Sequence, residues 1–421
     1  MRSGIQRIDP GRRSLCDYAE VAGEETVARL RALARELEGV RVVHVSAAAP
    51  RNGCPELLRS LLPLLKDTGL DVEWRVLYGS APFADVARDL YDGMQGAESA
   101  VAPSTWSEFL EGVSSATGGV RDDCDVLVLH DPQALALLAQ DEGGRAAVVW
   151  RCHIDASQPE PATWERLAPL AAGSDWGVFA CDGFWPPALG GDVRAIQPAI
   201  DPLGPKNMEM PLRLAGHVLR SLGIDLTRPL VCNVARLDRW KDPHSVIDAF
   251  AQAKRELPDL QLVLATALPG EGPQDFRIAR EVSDYAAGID DLRVMTSYTG
   301  IGDVEVGALQ RVARVSLQRS LREGFGLAAS EALWKRTPVV AGISPGTRAQ
   351  VRDGEEGYLT DDVGEMAQRV VELVGDPGLA TELGSAGRTH VQDGGLVTRL
   401  LEDELLLLQS VLAGRPGTVA P

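Results

Sequence analysis

Short apolar runs alternate with amphipathic stretches along the whole of this 421-residue chain. That alternation constrains the fold more than any single motif, because it is the pattern of parallel sheets covered on both faces by helices. In the first half the expected strands are 41–46, 72–77, 125–130, 146–150, 176–181 and 193–196. In the second half they are 230–234, 261–267, 292–295, 313–317, 338–341 and 357–359. Each half thus offers enough strands for one doubly wound α/β sheet. The length agrees, since a chain of this size exceeds one ordinary core.

Pro202 and Pro205 break regular structure between the halves, and a helical stretch at 212–221 precedes the second sheet. The expected domains are 1–203 and 204–390, followed by a terminal segment 391–421. Within that segment Leu400, Leu401, Leu405, Leu406, Leu408 and Leu412 make the helix 397–412 apolar on more than one face. Such a helix is packed rather than free. It either returns to the first domain or joins a second copy of the chain as a homodimer. The tail from Ala413 is rich in Gly and Pro and is expected to be loose.

A formal charge of −18 argues against nucleic acid, which demands a basic face, and equally against an anionic membrane surface. The expected partners are small molecules held by a few local cations. Cysteines at 16, 54, 124, 152, 181 and 232 form no C-x-x-C pair and read as buried thiols of a cytosolic protein. With no signal-peptide core and no apolar run long enough for a membrane span, the expectation is a soluble, cytoplasmic protein.

The stretch Glu323-Gly-Phe-Gly-Leu-Ala-Ala-Ser-Glu331 follows an apolar run and leads into a helix. A carboxylate at a strand end, two glycines and a helix start make a phosphate pocket on elementary grounds. The first helical turn presents unpaired N–H groups with partial positive charge, and glycines let a ligand approach them closely. Ionised carboxylates accept strong hydrogen bonds and suit hydroxyl groups. Such a pocket fits a molecule carrying both phosphate and sugar hydroxyls. The bland alternative is a glycine turn between two solvated glutamates.

Arg236 and Lys241 follow the strand 230–234 and precede Asp242-Pro243. Asp242 is a good N-cap and Pro243 fits the first helical position, so both cations fall on a strand-to-helix loop at the ligand face. Arg can fork onto phosphate oxygens and Lys can serve as a point charge. Alternatively both are solvated surface cations. No D-x-D run follows a strand, and the pairs Asp122-Asp123 and Asp361-Asp362 fall in loops. No metal and no cofactor are expected.

Glu323 and Glu331 also carry the E-x7-E spacing, and with it the chain resembles retaining glycosyltransferases of the GT-B fold. In that fold two Rossmann-like doubly wound domains face each other across a cleft. Within that group the chain is similar to the glycosyl-transferring trehalose synthases, which join a nucleotide-activated glucose to free glucose. The passages that carry the likeness are His130-Asp-Pro-Gln133, Trp150-Arg-Cys-His-Ile-Asp155, Ile200-Asp-Pro-Leu203, Ala235-Arg-Leu-Asp-Arg-Trp-Lys241 and Arg322-Glu-Gly-Phe-Gly-Leu327. They fall in the family's order along nearly the whole chain.

The resemblance implies a retaining hexosyltransferase with an acceptor domain at 1–203, a nucleotide-sugar domain at 204–390 and a last helix crossing back. Arg236 and Lys241 would neutralise the leaving nucleoside diphosphate. Glu323 would hold hydroxyls of the donor sugar beside Gly324, Phe325, Gly326 and Leu327, and Glu331 would hold the ribose. His153 would lie at the donor sugar, so that catalysis rests on His153, Glu323, Arg236 and Lys241. His130, Asp131 and Asp155 would border the acceptor, although Asp131 could equally cap a helix begun by Pro132.

One passage departs from the family, which carries a glycine triplet after the first strand. Here Ser46-Ala-Ala-Ala-Pro-Arg-Asn-Gly-Cys-Pro55 has one glycine and two prolines. A single glycine cannot supply the same close backbone approach. Arg51 and Asn52 add polar groups that are expected to face the acceptor. The departure keeps open a glycosyl- or pseudoglycosyltransferase acting on a cyclitol or antibiotic precursor. A non-catalytic sugar-nucleotide sensor would be expected to lose Glu323, Arg236 or Lys241, and all three are present. A phosphorylase or epimerase of the same fold is disfavoured, the former by the lack of a cofactor lysine motif. The expected ligands are therefore a nucleotide sugar and a small sugar or cyclitol acceptor.

Overall fold

The computed structural model describes residues 3–47, 54–98, 101–117, 120–139, 144–266 and 273–414. The chain divides into two units, Met1–Pro198 with Val397–Pro421 and Ala199–Leu396. Ile200 and Leu396 pair in a parallel bridge, which places both crossings of the chain side by side at the edge of the second unit. The units divide at 198/199 and 396/397, a few residues from the expected 203/204 and 390/391.

The first unit holds β1 (Ser3–Ile8), β2 (Arg41–Ala47), β3 (Asp71–Gly79), β4 (Val126–His130), β5 (Ala147–Cys152), β6 (Trp176–Phe179) and β7 (Asp192–Ala195). Their order is β1-β3-β2-β4-β5-β6-β7, and only β1 runs antiparallel to its neighbour. Sequence reasoning missed β1, because an edge strand reading Ser-Gly-Ile-Gln-Arg-Ile has no continuous apolar run. The last helix, Val397–Ala413, packs on the helices Glu24–Ala34 and Cys54–Asp67 of this unit. Its Leu400, Leu401, Leu405 and Leu408 are fully buried there, so that apolar surface is used within the chain.

The second unit holds β8 (Leu230–Val234), β9 (Gln261–Thr266), β10 (Leu292–Thr296), β11 (Val315–Gln318), β12 (Val339–Gly342) and β13 (Gly357–Thr360). All are parallel, in the order β10-β9-β8-β11-β12-β13. Alternate side chains of β8 serve opposite faces: Val231 joins the core under the helices Pro243–Glu256 and Val363–Gly375, while Leu230 and Cys232 join that under Leu212–Ser221 and Asp303–Val312.

The chain steps outward from β8 through β9 to β10, then returns to β11 on the other side of β8. The first sheet reverses in the same way between β2 and β4. At such a switch point the loops leaving the carboxyl ends diverge and leave a crevice for a ligand. Five of the six cysteines are buried, but Cys16 is exposed, contrary to the expectation of six buried thiols. Among the described residues no helix is long and apolar enough to cross a membrane.

Candidate functional site

In the second unit the site grows from the loops that follow β8 and β11. Asp238 has no exposure to solvent, and its Oδ1 accepts the backbone N–H of Trp240 at 3.0 Å and of Lys241 at 3.2 Å. This carboxylate therefore holds the tight turn Arg239–Lys241 in place. Arg236 Nη2 lies 3.6 Å from Asp238 Oδ2. The two loops are tied by Leu321 N donating to Trp240 O at 2.8 Å. Across that tie the Lys241 ammonium pairs with the Glu323 carboxylate, which also accepts from Ser320 Oγ at 3.0 Å. Burial pushes the Glu323 carboxyl up, but the adjoining Lys241 charge and hydrogen bond, with Arg236, outweigh it and hold it below its ordinary 4.5. Glu323 is thus an ionised acceptor.

The glycine stretch after Glu323 is built around that carboxylate. Gly326 has φ +83°, and a Cβ there would stand 3.0 Å from Glu323 Cδ and Oε2. Gln350 Nε2 donates to Phe325 O and Gly346 O, while its Oε1 accepts from Ser330 N at 3.1 Å and Ser330 Oγ at 2.6 Å. The loop carbonyls are pinned from beneath. The helix that follows, Ala328–Trp334, has seven residues, so its dipole is that of about two turns. The cations rather than the helix carry most of the positive potential.

Asp242 takes a left-handed backbone, φ 42° and ψ 58°, and caps the helix Pro243–Glu256 by accepting from Ser245 N at 3.3 Å. Its Oδ2 lies 4.0 Å from Arg319 Nε, a cation that sequence reasoning did not single out.

Glu331 occupies a different setting from Glu323. It is buried and its Oε1 lies 3.1 Å from Lys206 Nζ. Below it Lys335 donates to Asn207 Oδ1 at 2.7 Å, Gln310 Oε1 at 3.0 Å and Glu331 O at 3.0 Å. Burial lowers the Lys335 amine to about 8. A ribose contact by Glu331 would have to be shared with Lys206.

In the first unit, strand pairing sets His44 opposite Val128 and His130 opposite Arg151, so the period of two puts His44, His130 and Arg151 on one sheet face. His44 Nδ1 lies 3.0 Å from His130 Nε2, and His130 Nδ1 lies 3.0 Å from His153 Nε2. The rings stack, with centroids 5.3 Å apart in both contacts. Burial, then the nearby Arg151 charge, pushes His44 and His153 down to about 3, and His130 also falls well below its ordinary value. All three rings are neutral. Arg151 itself pairs with Glu404 of the last helix, both fully out of solvent.

The three residues expected at the acceptor have these settings. His130 is buried with both ring nitrogens engaged, so it acts on a ligand only through His153. Asp131, with φ 63°, accepts from His153 N at 2.9 Å. Asp155 Oδ1 accepts from Ser157 N at 3.0 Å and Ser157 Oγ at 2.6 Å, closing a local turn. Arg51 and Asn52 lie outside the described residues. Cys54, His130 and His153 bring potential ligand atoms within 4.8 Å of one another, but a metal there would have to break the imidazole chain.

Asp238 carried a readable signal, an Asp immediately before a turn, whereas His44 and Gln350 gain their roles from partners distant in the chain. A cationic loop thus lies beside a glycine-rich acidic loop at a sheet switch point, and two family comparisons bear on its use. Residues 218–390 match glycosyl transferases group 1, and residues 44–186 match the trehalose synthase N-terminal domain, which makes the chain a two-domain glycosyltransferase. Trehalose synthase of Rubrobacter xylanophilus is 36% identical to it over 97% of this chain and 99% of that protein. The chain belongs to the trehalose synthase family. Its GT-B fold is shared with alpha,alpha-trehalose 6-phosphate synthase of Burkholderia multivorans, at TM-score 0.69 and 16% identity over 89% of this chain and 99% of that one. Anabaena HepE in complex with UDP and glucose matches at TM-score 0.65 and 16% identity, over 88% of this chain and 100% of that chain.

Proposed function

We propose that this chain moves glucose from a nucleoside diphosphate glucose to free glucose with retention at the anomeric carbon, forming α,α-trehalose. The observation that carries the reading is the Arg236–Lys241 loop set against Glu323 where β8 and β11 part. That HepE was solved with UDP and glucose supports the same two ligand classes here.

In this reading Arg236 and Lys241 take the diphosphate, and Glu323 accepts from hydroxyls of the transferred sugar. The Lys206–Glu331 pair lies toward the ribose. His153 offers a sugar oxygen a neutral imidazole. Double displacement needs a second carboxyl about 5–5.5 Å away across the bond, and Glu323 faces the cations Lys241 and Arg236. The resemblance to retaining transferases of this fold supports a front-face route. The acceptor hydroxyl gives its proton to the departing phosphate oxygen while its own oxygen bonds the anomeric carbon on the same side. The cations stabilise the charge that develops on that phosphate, the term that usually dominates in a preorganised site. They also do the work a divalent metal does elsewhere, so neither metal nor cofactor is required.

The test is incubation with a panel of nucleoside diphosphate sugars, offering glucose and cyclitols as acceptors with and without EDTA, followed by product NMR. The expected product is α,α-trehalose at an undiminished rate in EDTA. A glycosylated cyclitol in place of trehalose would establish the alternative acceptor class. An inverted linkage, or loss of activity in EDTA restored by magnesium or manganese, would overturn the mechanism.

A further inference from the structure

We propose that His44 is a positioning residue that decides, through His130, which ring nitrogen of His153 carries a proton. A neutral imidazole has one N–H and one bare nitrogen. Each 3.0 Å contact in the chain His44–His130–His153 needs one hydrogen and one lone pair. If His44 Nδ1 donates to His130 Nε2, then His130 carries its hydrogen on Nδ1 and donates to His153 Nε2. His153 then carries its hydrogen on Nδ1. If the first bond is reversed, every ring in the chain reverses with it. The three side chains share a single tautomer.

The far end of the chain picks the direction. His44 Nε2 is buried and has no hydrogen-bond partner among the described residues. Buried N–H groups without an acceptor are rarer than buried acceptors left short of a donor. The bare nitrogen is therefore His44 Nε2, all three rings are Nδ1–H, and His153 presents an N–H donor at its free nitrogen. His44 and His130 are each 1% exposed, whereas His153 is half-buried, so only this end of the chain reaches a ligand. Neutrality of the rings, enforced by burial and by Arg151, keeps the count of hydrogens valid near neutral pH.

That the donor meets a sugar oxygen rests on the proposed function; the tautomer does not. The experiment is nitrogen-15 NMR of the full chain labelled at histidine, with long-range proton–nitrogen correlations that distinguish Nδ1–H from Nε2–H. The chain has six histidines, and His44, His130 and His153 are assigned by single substitution. The expected result is Nδ1–H at all three. Nε2–H at all three would overturn the direction, and mixed tautomers would overturn the coupling. In His44→Asp an acceptor-only carboxylate replaces the Nδ1 donor, so His130 turns its hydrogen to Nε2 and His153, which residue 44 does not touch, changes to Nε2–H. An unchanged His153 beside a neutral His130 in a folded His44→Asp chain would overturn the proposal. Should that variant fail to fold, the wild-type spectrum still decides it. Sugar transfer is not read at any step, so failure here and failure of the proposed function are separately visible.

Discussion

The Lys241 ammonium and the Glu323 carboxylate pair across the loops that leave two adjacent strands, β8 and β11. In the proposed function a diphosphate takes the cation while sugar hydroxyls donate to the carboxylate, so binding would exchange one internal ion pair for two contacts to ligand.

Separating those roles needs both members of the pair. Lys241→Met alone should lower stability by about 2 kcal/mol, since it strands a poorly hydrated carboxylate. It should also cut turnover by more than roughly tenfold through loss of a charge-assisted contact. Lys241→Met with Glu323→Gln should recover most of the stability and none of the turnover. Arg236→Ala should lose turnover similarly. Urea denaturation beside steady-state rates checks this, and full turnover in a folded Arg236→Ala/Lys241→Ala chain would remove the phosphate assignment.

Gly326→Ala puts a methyl group on a left-handed backbone and against Glu323. We expect a loss of about 1–3 kcal/mol from strain and a higher KM for the nucleotide sugar as Glu323 is displaced. Gly375→Ala, where an added Cβ has nothing within 4 Å, is the control and should be neutral or slightly stabilising. Equal effects at both positions would show that Gly326 holds no special relation to Glu323.

Acid should destabilise this protein earlier than carboxylates alone would cause. His44, His130 and His153 have an ordinary value of 6.5 unfolded and lie far lower in the fold, His44 and His153 at about 3. Between those values the unfolded chain binds up to three protons that the folded chain refuses. The contribution is thus fully present above about pH 6.5 and is lost as the pH falls toward 3. The depressed Glu323 has the same sign, its contribution fading as the pH falls below its ordinary 4.5. Urea midpoints should drop between pH 7 and pH 5, with a shallower slope in His153→Gln. A flat profile over that interval contradicts the neutral chain.

Glu404→Gln removes one member of a buried ion pair and leaves the Arg151 charge without its counter-ion. Such breakage costs about 3–5 kcal/mol, whereas replacing both partners by apolar groups costs far less. Arg151→Met with Glu404→Leu should therefore be the more stable of the two variants by denaturation. The reverse order would mean that the pair does not seat the last helix.

Parallel strands buried on both faces read as continuous apolar runs, which is why β8 was legible at 230–234 and the polar edge strand β1 was not. The cap at Asp242 and Pro243 was legible because capping chemistry is local. Asp131 looked like the same device, and its bond to His153 N, 22 residues on, was not visible in the sequence. His44 sits within an apolar strand and meets a partner 86 residues away, so nothing near it in the chain announces its role. Glu404 was not singled out in the sequence, because its partner Arg151 lies 253 residues away. Short-range physics was visible in the letters; contacts made by topology were not.

The first unit is discontinuous, and Glu404 belongs to its closing piece. A ribosome delivers residues in order at roughly 5–20 per second, so the opening 198 residues emerge long before the helix that completes their core. The second unit is an uninterrupted segment and can finish while the first still waits. Until the segment 397–413 leaves the exit tunnel, Arg151 of the nascent chain lies without its partner Glu404. In this protein the part made first is the part finished last.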